Sequence, residues 1–234
     1  MRHISIGVDR AEELLSELRV EFDSCLARRD VSDRALILTH EIFERCSNAM
    51  DQVMFLAWSQ RVKPMLTDIE IEKAKVYFPV AKDEHSLAST LGRAKCGDLG
   101  VRDPEFYALL LEYQPYLNPK KVFQTLRDLA NAKHRGLIPQ TRTETREVRV
   151  SAPSGGSVSW GPGVTFGAGV SIMGVPIDPS TQLPVPNDVV RTEVVTWVSF
   201  LLEGTDLNAL AVCERAVSET KALVADFRDR LALS

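Results

Sequence analysis

Histidine and cysteine are scarce in this chain, four of each in 234 residues, and neither forms a cluster. Cys25, Cys46, Cys96 and Cys213 stand far apart, with no CxxC and no Cys/His group. That spacing argues against a structural zinc site and against a disulfide scaffold; reduced thiols in the cytosol are the simple expectation. No metal and no cofactor is expected. Long apolar runs are missing as well. No stretch approaches the roughly 18 apolar residues that span a bilayer, and the N-terminus has no charged-then-apolar signal pattern. The expectation is a cytoplasmic protein without a membrane partner. Nor is there an excess of positive charge: the formal net charge is −4, so nucleic acid could be held only by a local basic patch, not by the global field.

The motifs of several enzyme classes are absent too. The glycines between 155 and 174 contain no GxxxxGK[ST] and no GxGxxG opening a helix after a strand. There is no GxSxG elbow, no HExxH and no EF-hand loop, which leaves serine hydrolase, metalloprotease and P-loop enzyme without support. No internal repeat is visible.

What the chain does have is helical periodicity. Leu14, Leu15, Leu18 and Phe22 predict a helix from about residue 10 to 28. Leu38, Ile42, Cys46, Val53 and Ala57 predict a second, opened by Ser32 or Asp33 and running to about residue 59 or 61. The short Arg29-Asp30-Val31 link makes the pair an antiparallel hairpin. Val76-Tyr77-Phe78-Pro79-Val80 reads as an extended connection, followed by short helices over 85–95 and 104–112. Composition then shifts: seven of thirteen glycines lie in 155–174 and six of twelve prolines in 153–186, so strands and turns replace helix. Residues 145–150, 164–166, 170–173 and 189–202 read as strands. A final helix carries Leu210, Cys213, Val217, Thr220, Val224, Phe227 and Leu231 at unbroken 3–4 spacing, capped by Thr205 or Asp206. The expected fold is α+β: a mainly helical bundle with a small antiparallel β insertion before the C-terminal helix. Its parts are a helical region (1–138), a β-rich insertion (139–204) and a last helix (205–234) that packs back on the helical region, a second subunit being equally allowed by its pattern.

The chemistry-bearing segment is 118–136. Asn118 and Pro119 suit the start of a helix and Gly136 its left-handed end. At about 100° per residue, Arg127, Asn131 and His134 share one stripe beside the apolar face of Val122, Phe123, Leu126, Leu129 and Ala130. Histidine as a residue type ordinarily titrates near neutrality, so His134 suits general acid–base work on a ribose 2′-hydroxyl; Arg127 could grip a phosphate with both arms of its guanidinium. Asn131 could orient either. Asp51, mid-helix among Met50, Val53 and Met54, calls for a cationic partner, for which Lys133, His134 and Arg135 are candidates. It could also fix the histidine tautomer. The competing expectation is structural: a cation at a helix end favoured by the macrodipole, and an ion pair between helices.

Several pieces resemble a widespread set of bacterial proteins. The matching residues are Ala49-Met50-Asp51 with Leu56-Ala57-Trp58, Phe78-Pro79, Gln114-Pro115-Tyr116 and Asn131-Ala132-Lys133-His134-Arg135. Ser47 stands where an Arg is common in that set, and Ala132 where an acidic residue is common. The set in turn looks like a distant relative of the HEPN superfamily, whose hallmark is an Arg, a polar residue and a His a few positions on; Arg127, Asp128 and His134 satisfy it. The resemblance implies a dimeric helical bundle and a metal-independent endoribonuclease or RNA-binding protein of a bacterial toxin or defence system. It also implies RNA and an antitoxin-like protein as partners. Arg127, Asn131 and His134 would be the catalytic residues, with Asp51, Lys133 and Arg135 supporting them. The alternative is a non-catalytic interaction module in which Arg127 and His134 lock helix packing.

Overall fold

A computed structural model describes residues 1–28, 30–131 and 136–233, without the side chains of 27 and 197. The chain is α+β and mainly helical, with small antiparallel sheets inserted before the last helix. It divides into two compact units, 1–141 with 201–234, and 142–200.

The first unit is built on a hairpin of α1 (Arg2–Arg28) and α2 (Asp33–Arg61), with α8 (Ala209–Arg230) packed against both. α1 begins eight residues earlier than expected. Ile4, Val8 and Ala11 continue the stripe of Leu15, Leu18 and Phe22 backward, and all six are buried; each large apolar side chain so buried favours the fold by about 1.5–3 kcal/mol. Ser32 caps α2, its hydroxyl accepting from the Ala35 N–H at 3.1 Å. α8 is capped by Asn208 rather than Thr205 or Asp206: the Asn208 side-chain Oδ1 accepts from the Ala211 N–H at 3.0 Å. Its buried Cys213, Val217, Thr220 and Phe227 follow the predicted spacing.

Shorter elements close this unit. A 3-10 turn (Lys63–Met65) precedes α3 (Asp68–Lys73), then come the extended segment 74–80, α4 (Glu84–Arg93), α5 (Leu99–Arg102), α6 (Pro104–Glu112) and α7 (Phe123–Asn131). Phe78, Phe106, Tyr113, Phe123 and Phe227 form a connected aromatic cluster with centroids 5.6–6.5 Å apart. The fully buried Gln114 holds the extended segment in place. Its amide donates to the Pro79 carbonyl (3.0 Å) and the Leu110 carbonyl (2.9 Å), and accepts from the Ala81 N–H (3.1 Å). The Phe-Pro and Gln-Pro-Tyr pieces thus serve one structural clamp.

The second unit holds β1 (Gln140–Ser151), β2 (Ser157–Trp160), β3 (Ser171–Ile172), β4 (Val175–Asp178), β5 (Leu183–Pro184) and β6 (Arg191–Leu202), with the ends of β1 and β6 belonging to the first unit. They form two sheets, β2-β1-β6 and β3-β4-β5. β1 and β2 pair antiparallel in the register Val148↔Trp160 and Val150↔Val158. Val148, Val150, Trp160, Val175, Ile177 and Val190 make a small core of their own. Residues 164–166 are not a strand. The Gln182 side chain occupies the backbone of Phe166, accepting from its N–H at 2.7 Å and donating to its carbonyl at 3.3 Å, as a neighbouring strand would.

Candidate functional site

The helix of the Arg/His segment starts later than its sequence signals suggest. Asn118 does not cap it; its amide donates to the Glu112 carbonyl at 2.7 Å, closing the end of α6. Residues 118–122 are turn, and Val122 occupies the helix entrance. Its N–H is satisfied by the Glu219 carboxylate (2.9 Å) and its carbonyl by Leu126 (2.8 Å). Arg215 donates to the Lys120 carbonyl and pairs with Glu219 at 3.0 Å, fixing that carboxylate. The long-range acid of α8 thus does the work assigned to Asn118. Gly136 has φ +102°, the left-handed conformation expected of it.

α7 buries Phe123, Leu126 and Ala130 and packs against α2. This carries Arg127 to Asp51. The guanidinium donates to Asp51 Oδ1 at 2.7 Å and Oδ2 at 3.1 Å, to Ser47 Oγ at 3.1 Å and to the Phe78 carbonyl at 3.1 Å. Asp51 Oδ1 also accepts from the Phe78 N–H at 2.9 Å. Phe78 is thereby bracketed: its N–H on the acid, its carbonyl on the base. With Arg127 and Asp51 side chains 18% and 25% exposed, this is a half-sheltered, two-armed ion pair tying α2, α7 and segment 74–80 together. Among the described residues, the cation on Asp51 is Arg127. Lys133, His134 and Arg135, the partners proposed for it from sequence, lie outside the described residues, as does Ala132.

Arg127 and Asn131 line one wall of a cleft of about 510 Å³. The opposite walls come from α2 (Glu44, Ser47, Asn48, Asp51), the extended segment (Lys75, Tyr77, Phe78, Val80) and α4 (Thr90, Arg93). Lys75 and Tyr77 lie two apart on extended backbone, so both face outward while Phe78 turns into the core. The Lys75 N–H donates to the Arg93 carbonyl at 2.9 Å, bringing the two cations side by side. Arg93 reaches only as far as the Thr90 hydroxyl (3.1 Å), and neither cation has a carboxylate partner among the described residues. The sequence reading missed Lys75, Tyr77 and Arg93. The i, i+2 spacing of Lys75 and Tyr77 was its only trace, since Arg93 joins them by tertiary packing.

Chemically, the cleft offers two cations without a carboxylate partner among the described residues, an aromatic face and amides, beside the carboxylates of Glu44 and Asp51. Its arginine on α7 is committed to holding the walls. Among the described residues no group of three or more His, Cys, Asp or Glu could hold a metal ion, and no helix is long and apolar enough to cross a membrane. No protein-family model, no curated protein and no solved structure matches this chain.

Proposed function

We propose that this chain is a HEPN-like RNA-binding protein whose ligand lies in the cleft beside α7. The observation that carries the reading is the pair of uncommitted cations, Lys75 and Arg93, facing the α7 polar stripe with Tyr77 beside them. Lysine and arginine meet phosphate, and an exposed aromatic ring can stack a splayed base. Arg127 organises the site: it holds the cleft walls through Asp51 and Phe78, and the ligand phosphate falls to Lys75 and Arg93.

In its stronger form the reading is a metal-independent endoribonuclease in which His134 moves the proton of a ribose 2′-hydroxyl, in a homodimer restrained by an antitoxin-like partner. This form rests on the Arg127–His134 spacing and the resemblance it carries. A second reading has its own support: four guanidinium hydrogen bonds within one chain fit a purely structural Arg127, as in a non-catalytic interaction module.

One experiment separates these. Wild type, His134→Ala and Lys75→Ala are incubated with labelled single-stranded RNA in EDTA, and both retention and cleavage are read. Cleavage by wild type alone, leaving 2′,3′-cyclic phosphate ends, supports the nuclease. Retention by wild type and His134→Ala but not by Lys75→Ala supports binding without cleavage. No retention and no cleavage by folded wild type overturns the proposal.

A further inference from the structure

Next to the cleft, and sharing Lys75 and Arg93 with it, lies a smaller recess of about 370 Å³ lined by Lys73, Lys75, Ser89, Gly92, Arg93 and Lys95. We infer that this recess is a phosphate-binding site. The inference rests on the proposed function only for the source of the phosphate, not for the site itself.

Three local features that are individually unfavourable meet here. First, four cations converge, Lys73 from α3, Lys75 from the extended segment, and Arg93 and Lys95 from the end of α4, with no carboxylate among the lining residues. Like charges held together cost free energy unless an anion answers them. The nearby Glu70 carboxylate is turned onto the Thr67 N–H (3.0 Å) and hydroxyl (2.8 Å). Second, Lys95 has φ +60°, the left-handed conformation at which glycine is favoured. It stands at the end of α4, where Cys96 N–H donates to the Leu91 carbonyl (2.8 Å) and Lys95 N–H to the Gly92 carbonyl (3.1 Å). A lysine there places a cation on the recess rim that glycine would not. Third, Gly92 lies inside α4, where alanine is preferred, yet nothing stands within 4 Å of the position its Cβ would take. Packing gives no reason for the missing side chain; the open floor of the recess does. Departures from local preference that coincide in space mark functional ground.

Cations near a helix C-terminus are ordinarily explained by the macrodipole. Here the terminal carbonyls are already answered: Thr90 by Ala94 N–H, Leu91 by Cys96, Gly92 by Lys95 and Arg93 by Lys75. These four carbonyls therefore do not call for the cations, and among the described residues Arg93 alone of the lining side chains is seen to donate, to the Thr90 hydroxyl at 3.1 Å. A phosphate seated here would be one step from the cleft, through Lys75 and Arg93.

The phosphate can belong to an RNA backbone or to a small free phosphate, and two probes distinguish them: a fluorescent single-stranded RNA 10-mer and inorganic pyrophosphate. The variants are Lys95→Gly, which removes a cation and relieves the backbone, and Lys73→Gln at an exposed position. Wild type is expected to bind pyrophosphate, seen as a rise in Tm, and each variant to bind it at least fivefold more weakly, with Lys95→Gly melting no lower than wild type. If RNA also binds, is displaced by pyrophosphate and is weakened in both variants, the source is the RNA backbone. If pyrophosphate binds and RNA does not, the site stands, its ligand is a small phosphate, and the RNA reading fails. If both folded variants bind both probes as wild type does, or wild type binds neither, the site is refuted.

Discussion

Replacing Arg127 by alanine separates a structural guanidinium from a ligand-gripping one. The substitution deletes four hydrogen bonds, two of them to a carboxylate, and leaves Asp51 and the Phe78 carbonyl short of donors inside a half-sheltered site. A hydrogen bond to a charged group contributes about 1.5–3 kcal/mol, and breaking a fully buried pair costs about 3–5 kcal/mol. With both partners still about a fifth exposed, solvent recovers part of this. The expected cost is about 3 kcal/mol. For a chain of this size that lowers Tm by about 6–12 °C. Arg127→Lys, which keeps the charge but loses the two-armed geometry, is expected to lose about half as much. In a double-mutant cycle with Asp51→Ala, the coupling is expected at about 1–3 kcal/mol. Circular dichroism at 222 nm against temperature and urea reads all five proteins. If Arg127→Ala melts within about 1 °C of wild type, or the cycle shows no coupling, the pair does not hold the cleft walls and the organising role of Arg127 is wrong.

Other consequences follow from the same geometry. The Arg61 guanidinium, 2.5 Å from Asp103, together with the Phe106 N–H, holds the Asp103 carboxyl below the usual carboxylate range. Because the folded state lowers this pKa, the stabilisation is present above the unfolded pKa of about 3.9 and is lost as pH falls through the folded value. Asp103→Asn should therefore melt lower than wild type at pH 7, with the two curves converging toward pH 2; a gap that stays constant would contradict the assignment. Burial pushes the Cys46 and Cys96 thiols up to about 12 and Cys213 also upward. All three should stay unmodified by iodoacetamide at pH 8 in native protein and react in urea, so rapid native labelling of any of them would show the core to be more open than described. Gln114→Leu leaves the Pro79 carbonyl and Ala81 N–H unmatched and should destabilise by about 1–3 kcal/mol, read as a lower urea midpoint.

Periodicity made the large helices legible. α1, α2 and α8 each carry an apolar stripe long enough to be read alone; the stripe of α8 called for a partner without saying whether that partner was the hairpin or a second subunit, and α8 packs on the hairpin. The ends of elements were less legible, because distant residues set them. Glu219 and Arg215 of α8 decide where α7 begins, and one glutamine side chain at 182 replaces the strand partner that 164–166 would have needed. The site was half legible. Of the stripe Arg127, Asn131 and His134, the first two line one wall of the cleft and the third lies outside the described residues; Asp51 carries a cation, as its mid-helix place called for. That its cation among the described residues is Arg127, and that Lys75 and Arg93 line the same cleft, depends on packing between segments that no local pattern reports.

The most direct test of the proposed RNA site is fluorescence anisotropy of a labelled single-stranded RNA with wild type and the Lys75→Ala/Arg93→Ala double variant, from 50 to about 300 mM salt. Each phosphate contact on single-stranded nucleic acid contributes about 0.7 to the slope of log K against log salt. The predicted result is binding by wild type that weakens with salt, and binding by the variant that is at least tenfold weaker with a slope shallower by about 1.4. Equal affinity and equal slope for two folded proteins, or no binding by wild type at the lowest salt, would contradict a phosphate-binding cleft at this place.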